Sequence, residues 1–282
     1  MSKPRLTALF AVFLVAIAAL VVAGCGSSDS SSSSGGGETN AGGEEASGEP
    51  LTVGSDVPYP PFEDFGKSKT EFVGFDVELM EAVAESIGRK AEFEDTSFDT
   101  IFTFLAQGRF DAVASAATIT EEREETVDFT NPYYLSEQAI LVEEGGEIDS
   151  VEGLKGATVG VQKGTTGEEF VEEKGEAGEL RSYSTGPDAV NALKAGTVDA
   201  VVIDIPVAEN AVEASEGIEL SAAIPTEEEY GFAVAQGDTE LLEGLNEGLK
   251  EVEEDGTYAK IYEKWFHHEP PASIETATHK AS

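Results

Sequence analysis

Apolar and polar positions divide the chain into three regimes. Leu6 to Ala23 is almost entirely apolar, behind Lys3 and Arg5. Gly26 to Glu49 is Ser, Gly and Glu with scarcely an apolar side chain. From Leu51 to Phe266, short apolar runs alternate with segments whose apolar residues recur at three- and four-residue spacing; after Phe266 the chain is polar again. The spacing predicts a strand at Leu51–Gly54, then a helix from Asp76 to Gly88 with Val77, Met80, Val83, Ala84 and Ile87 on one face. It continues with a weak strand at 92–95, a helix over 99–107 with Ile101, Phe102 and Leu105 inward, and a strand at 112–115. A second series follows: strands at 139–142 and 157–161, a helix over 165–174, a short strand near Leu180, a helix over 187–193 and the apolar strand 200–203. Pro206 suits the first turn of a further helix, and 231–235 returns as a strand. Two helices close the pattern, one lined by Leu242, Leu245, Leu249 and Val252, the other by Tyr258, Ile261, Tyr262 and Trp265.

Strands alternating with helices imply an α/β fold with open, mostly parallel sheets. Two successive series imply two lobes with a cleft between them. Ligands in such sheets sit beyond the carboxyl ends of the strands, which singles out Asp56, Ser115 to Thr118, Gln162 to Thr166 and Asp204.

The first regime, residues 1–24, has the basic, apolar and small-residue sections of a secretory signal. Its length also suits a membrane span, but Val22-Ala23-Gly24-Cys25 resembles a bacterial lipobox, in which the cysteine is lipidated and becomes the new N-terminus. The expectation is a lipid anchor at Cys25, with the remainder outside the cytoplasmic membrane, facing the periplasm or extracellular space. Residues 25–50 then form a disordered tether with a reach of roughly 25–30 Å.

Charge and chemistry narrow the classes. Lys and Arg number 17 against 56 Asp and Glu, a formal charge of −39. Nucleic-acid binding is excluded, because phosphate contacts need clustered Lys and Arg. Acidic runs such as Glu227-Glu228-Glu229 and Glu251 to Asp255 read as solvated surface that favours solubility. Cys25 is the only cysteine, so no disulfide forms within the chain. The histidines, His267, His268 and His279, stand in the tail and suit neither a buried base nor a metal site. Gly160 to Gly167 spells G-x-x-x-G-x-x-G, neither a P-loop nor a dinucleotide fingerprint. No cofactor, metal or catalytic residue is therefore expected.

Ordered motifs add a family. Gly54-Ser55-Asp56-Val57-Pro58-Tyr59-Pro60-Pro61-Phe62, Val73-Gly74-Phe75-Asp76-Val77, Gly108-Arg109-Phe110-Asp111-Ala112 with Thr118 to Arg123, and Val127 to Tyr133 occur in sequence. Val159 to Thr166, Val198 to Asp204 and Asp255 to Phe266 follow. Together they resemble the polar-amino-acid family of extracellular solute-binding proteins, which serve ATP-driven (ABC) importers. The resemblance spans Leu51 to Phe266 and implies a bilobal, type II periplasmic-binding-protein-like fold with a two-strand hinge near Tyr134 and Tyr230. On it, residues 51–134 with 231–267 form lobe 1, 135–230 form lobe 2, and 268–282 are a polar tail.

The resemblance also implies a site. Arg123 matches the residue that grips the ligand α-carboxylate; a guanidinium offers a planar fork, and Thr120 as N-cap would add a helix terminus. On residue type alone Arg123 would pair with Glu124 or Glu125 on the surface. Asp204 matches the residue that binds the α-ammonium; its alternative is an ordinary helix cap ahead of Pro206. Thr118, Thr165 and Thr166 match hydroxyl or backbone contacts, with turn and cap chemistry as the alternative. Tyr59 and Phe98 match apolar walls around the ligand side chain. Asp56 matches a position that contacts the ligand side chain in some members, and Ser115 and Ala116 line the same loop; Gln162 sits where members vary with ligand identity, and its neutrality favours an uncharged, glutamine-like side chain. Ala116-Ala117 departs from the more usual pair before Thr118, which leaves the side-chain preference open. The implied function is capture of a polar amino acid, by a monomer, for delivery to a membrane permease. An enzymatic alternative on the same fold is a periplasmic cyclohexadienyl or arogenate dehydratase.

Overall fold

The structure is a computed structural model that describes residues 48–271. The leader, Cys25, most of the tether and the end of the tail lie outside the described residues.

Strand β1 (Leu51–Ser55) is followed by two short strands, β2 (Asp64–Phe65) and β3 (Phe72–Val73), which pair antiparallel. Then come α1 (Phe75–Ser86), β4 (Ala91–Asp95), α2 (Phe98–Ala106), β5 (Ala112–Val113), the one-turn helix α3 (Glu121–Glu124) and β6 (Val127–Phe129). The second series is β7 (Tyr134–Glu143), β8 (Thr158–Gln162), α4 (Thr166–Lys174), β9 (Glu179–Tyr183), α5 (Gly186–Lys194), β10 (Ala200–Asp204), α6 (Ile205–Ala214) and β11 (Ile218–Tyr230). Strand β12 (Ala233–Ala235) and helices α7 (Thr239–Glu254) and α8 (Thr257–Phe266) complete the fold.

Two five-stranded sheets result, ordered β4-β1-β5-β12-β6 and β11-β7-β10-β8-β9. The bilobal α/β expectation holds, but the sheets are mixed rather than mostly parallel. β12 runs antiparallel to both β5 and β6, and β7 antiparallel to both β10 and β11. The reason is topological: the chain leaves the first sheet after β6 and re-enters it at β12, and each passage reverses a strand. β7 and β11 start and finish those passages, paired at Tyr134 and Tyr230. Their rings stack at 5.6 Å between centroids; Phe62 packs against both and Phe266 against Tyr134.

Local sequence explains the elements that hold the site. The apolar stripe of α1 buries Val77, Leu79, Met80, Val83 and Ala84. Gly74, which precedes it, has φ +146, and a Cβ there would stand 1.9 Å from the Phe62 carbonyl oxygen. Only glycine lets the α1 entry lie against the β1 loop. Thr165 and Thr185 cap α4 and α5 by accepting from Glu168 and Asp188 backbone N–H groups.

Four readings change. β6 and the long β11 lacked strong apolar runs. β5 stops at Val113 because the chain then turns through Ala116, at φ +44, into the cleft. On α7 the core-facing residue at the first turn is Leu241, with Leu242 only half-buried. On α8 only Tyr258 and Tyr262 are fully buried, while Ile261 and Trp265 pack at the margin.

Candidate ligand-binding site

The carboxyl ends of β1, β5, β8 and β10 converge on one small cavity. Its lining is Asp56, Tyr59, Glu63, Phe98, Ser115, Ala116, Thr118, Arg123, Gln162, Thr165, Thr166 and Asp204. Of the positions singled out in the sequence, Ala117, Lys163 and Gly164 fall outside this lining; the others come together in it from elements around both sheets, and Glu63 joins them.

Arg123 is 8% exposed and has no ion pair with Glu124 or Glu125, so the surface reading is wrong. Its guanidinium lies 5.2 Å from the centroid of Phe98 and 5.0 Å from that of Phe102. It donates to the Thr118 carbonyl at 2.7 Å and across the cleft to the Gly164 carbonyl at 3.2 Å. Thr120 caps α3 as expected, accepting from the Arg123 N–H. The helix dipole does not contribute as expected, because α3 is a single turn carrying Glu121, Glu122 and Glu124. Burial pushes the Arg123 pKa down, opposed by the negative charges of Glu169, Glu228 and Asp204.

Asp204 stands at the N-cap of α6 but makes no capping bond. Its carboxylate accepts from the Tyr59 hydroxyl at 2.6 Å and from the Gln138 side-chain amide. Burial, then the neighbouring Glu228, raise its pKa to about 7. Asp56 accepts from the Gln162 amide across the cleft, and burial raises its pKa to about 7 as well. Ser115 Oγ accepts from the Asp56 N–H at 2.9 Å and donates to Glu63 Oε1 at 2.8 Å. Beneath it, Asp76 accepts from the Tyr133 hydroxyl at 2.6 Å and the Ala116 N–H at 2.7 Å. That bond holds Ala116 in its left-handed turn.

The threonines split. Thr165 Oγ1 is used locally, accepting from Glu168 N–H and donating to the Gln162 carbonyl at 2.8 Å. Thr118 and Thr166 both donate to Glu228 Oε2, at 2.7 and 3.0 Å. Glu228 was read as solvated surface; it is 5% exposed. Its β11 neighbours alternate outward, so only the middle glutamate of the run points inward. Gln138 and Thr226 donate to its other oxygen at 2.8 and 3.0 Å. Three consecutive glutamates carry no periodicity of their own, and β11 has a register shift just before Glu228 with Glu227 at φ +53, so no local signal singled Glu228 out.

Cleft-spanning contacts hold the two walls together: Tyr59 to Asp204, Asp56 to Gln162, Arg123 to Gly164, and a rim ion pair from Lys163 to Asp99 at 2.9 Å. Gly164 lies so near α2 that a Cβ would come within 2.9 Å of Asp99 Cα. The arrangement places a guanidinium on one wall of the cavity and a carboxylate on the other. Among the described residues no His, Cys, Asp and Glu cluster could hold a metal ion.

The profile of the bacterial extracellular solute-binding proteins, family 3, matches residues 51–268. The chain belongs to that family. It is 36% identical over 223 residues to the putative ABC transporter arginine-binding protein 2 of Escherichia coli K12, covering 77% of this chain and 91% of that one. It is 34% identical over 207 residues to the ABC transporter glutamine-binding protein GlnH of Bacillus subtilis 168, covering 72% and 76%. Among solved structures it resembles the arginine-, lysine-, histidine-binding protein ArtJ of Geobacillus stearothermophilus. That match has 34% identity and a TM-score of 0.75, over 80% of this chain and all of the other. These relatives are transport binding proteins rather than enzymes. No described helix is long and apolar enough to cross a membrane.

Proposed function

We propose that this family member captures a polar α-amino acid in the cavity and delivers it to the permease of an ABC importer. One observation carries the reading: a buried guanidinium, Arg123, and a buried carboxylate, Asp204, line one small cavity from opposite walls. That pair complements the α-carboxylate and α-ammonium of a zwitterion. Tyr59 and Phe98 supply flanking apolar faces, and Ser115, Ala116, Thr118, Thr165 and Thr166 complete the lining. Residues 51–134 with 231–267 act as one lobe and 135–230 as the other, turning about Tyr134 and Tyr230. Ligand shifts the balance towards the closed form by its higher affinity for it. The mature chain works as a monomer, lipid-anchored through Cys25 on the outer side of the cytoplasmic membrane. Relatives that act beside permeases, and the lipobox-like leader, support this placement.

A thermal-shift screen of the twenty amino acids tests the reading, since a ligand specific to the native state raises the melting temperature. Stabilisation by at least one amino acid is expected. No shift with any of them overturns the amino-acid assignment, and turnover of prephenate or arogenate overturns the binding-protein reading.

A further inference from the structure

Arg123 and Asp204 are joined by an unbroken path of hydrogen bonds, and Glu228 is its midpoint. Arg123 Nη1 donates to the Thr118 carbonyl, and the Thr118 hydroxyl donates to Glu228 Oε2 at 2.7 Å. On the other side, Gln138 Nε2 donates to Glu228 Oε1 at 2.8 Å and also to Asp204 Oδ1. Thr166 adds a second donor to Oε2 and Thr226 a second to Oε1. These donors come from the loop after β5, from α4, from β7 and from β11 itself. With two donors on each oxygen, the carboxylate is held in one place. Glu228 is buried, yet it is not part of the cavity lining.

Two features tie Glu228 to the ligand. First, it occupies the hydroxyls of both threonines that line the cavity. Gly231 N–H donates to the Ala117 carbonyl and Ile119 N–H to the Glu229 carbonyl. The Thr118 N–H therefore points away from β11, to the side on which its carbonyl meets Arg123. Thr166 is the first residue of α4, so its N–H has no acceptor within the helix. With the hydroxyls committed to Glu228, the two threonines offer a ligand carboxylate backbone N–H groups. Second, the charge of Glu228 acts on both ligand-facing groups. After burial it is the largest influence raising the pKa of Asp204, and it opposes the lowering of that of Arg123.

Resting on the amino-acid reading above, we propose that Glu228 is a positioning residue for the α-amino-acid head group. It fixes the separation of Arg123 and Asp204 and turns the Thr118 and Thr166 hydroxyls away, so that the backbone of both meets the α-carboxylate.

Calorimetric titration of the mature chain tests this. The probes are the amino acid with the largest shift in the thermal screen and its α-carboxamide, which keeps the side chain and lacks the carboxylate. Glu228→Gln should shrink the preference for the acid over the carboxamide by about tenfold, the size of one hydrogen bond to a charged group. The pH profile gives a second readout. Asp204 is faced by Tyr59 from the β1 loop, by Tyr230 and Glu228 from β11 and by Gln138 from β7, with Glu63 and Arg123 further off. It must be ionised to hold an ammonium, so wild-type affinity should fall as pH drops through about 7. Removing the Glu228 charge should move that fall to lower pH. Should Glu228→Gln fail to fold, Thr226→Val loosens Glu228 from a half-buried position outside the cavity and should shrink the preference by about threefold. An equal loss for both probes with the pH profile unmoved would make Glu228 a structural residue and overturn the proposal while the amino-acid reading stands. An unchanged preference in a folded variant would overturn it too. Binding of none of the twenty amino acids to the wild type would overturn both readings.

Discussion

Replacing Arg123 by alanine probes the site at its most connected residue. The guanidinium is almost wholly buried, stacks on Phe98 and Phe102, and donates to two backbone carbonyls, one of them, Gly164, across the cleft. Its proposed role in binding is a fork to the ligand carboxylate. Truncating one side of a buried charge pair costs about 2–5 kcal/mol. That predicts an affinity loss of about 30- to 5,000-fold. The effect on folding should be smaller. The variant loses two hydrogen bonds to a charged donor, worth about 1.5–3 kcal/mol each, and the ring contacts, but it also relieves the burial of a charge. Arg123→Lys separates these effects, keeping the charge and the apolar stem while giving up the planar fork. It should lose about tenfold in affinity with little change in melting temperature. Isothermal titration with the amino acid found in the thermal-shift screen gives the affinities, and melting curves confirm the fold. A folded Arg123→Ala variant binding within about threefold of the wild type would refute the assignment.

Other outcomes follow from the same geometry. Gly164→Ala forces a Cβ towards Asp99 Cα and places alanine at φ +78, a backbone penalty of about 1–3 kcal/mol. It should weaken ligand binding by about tenfold and enlarge the radius of gyration in small-angle scattering with ligand present; unchanged affinity and compactness would exclude a close approach there. Glu228→Ala removes the acceptor shared by Thr118, Thr166 and Gln138 and should lower stability by roughly 2–5 kcal/mol in denaturant titration. A loss under about 0.5 kcal/mol would return Glu228 to the surface class. For pH, Asp56, Asp76 and Asp204 have folded-state pKa values raised to about 7, first by burial. Their contribution is fully present below the ordinary carboxylate pKa of 3.8 and is lost as pH rises through about 7. Without ligand, the melting temperature should therefore decline from mildly acidic to neutral pH. A ligand whose α-ammonium meets Asp204 should release protons on binding near pH 7, read as a dependence of the binding enthalpy on buffer ionisation; no such dependence would place this acid in the ionised state already.

What the sequence determined by itself is the architecture and the places where chemistry would gather. Strand and helix periods recur through 51–266 because each element must bury one face. The polar residues after β1, β5, β8 and β10 were therefore readable as cleft residues before any coordinates. The family motifs then attached roles to Arg123 and Asp204. What only the tertiary structure decided is how the acids are distributed. Glu228 and its two neighbours are identical in composition, and only the register of β11 against β7 turns the middle one inward. Glu63 follows a proline-rich loop that carries no periodicity, so its burial beside Ser115 depends on the close approach at Gly74. Gln162 meets Asp56 only because the fold brings the ends of β8 and β1 together across the cleft. Local pattern fixes which residues can face inward. The charge balance of a cavity depends on which distant segments meet there, and that is a property of the folded chain alone.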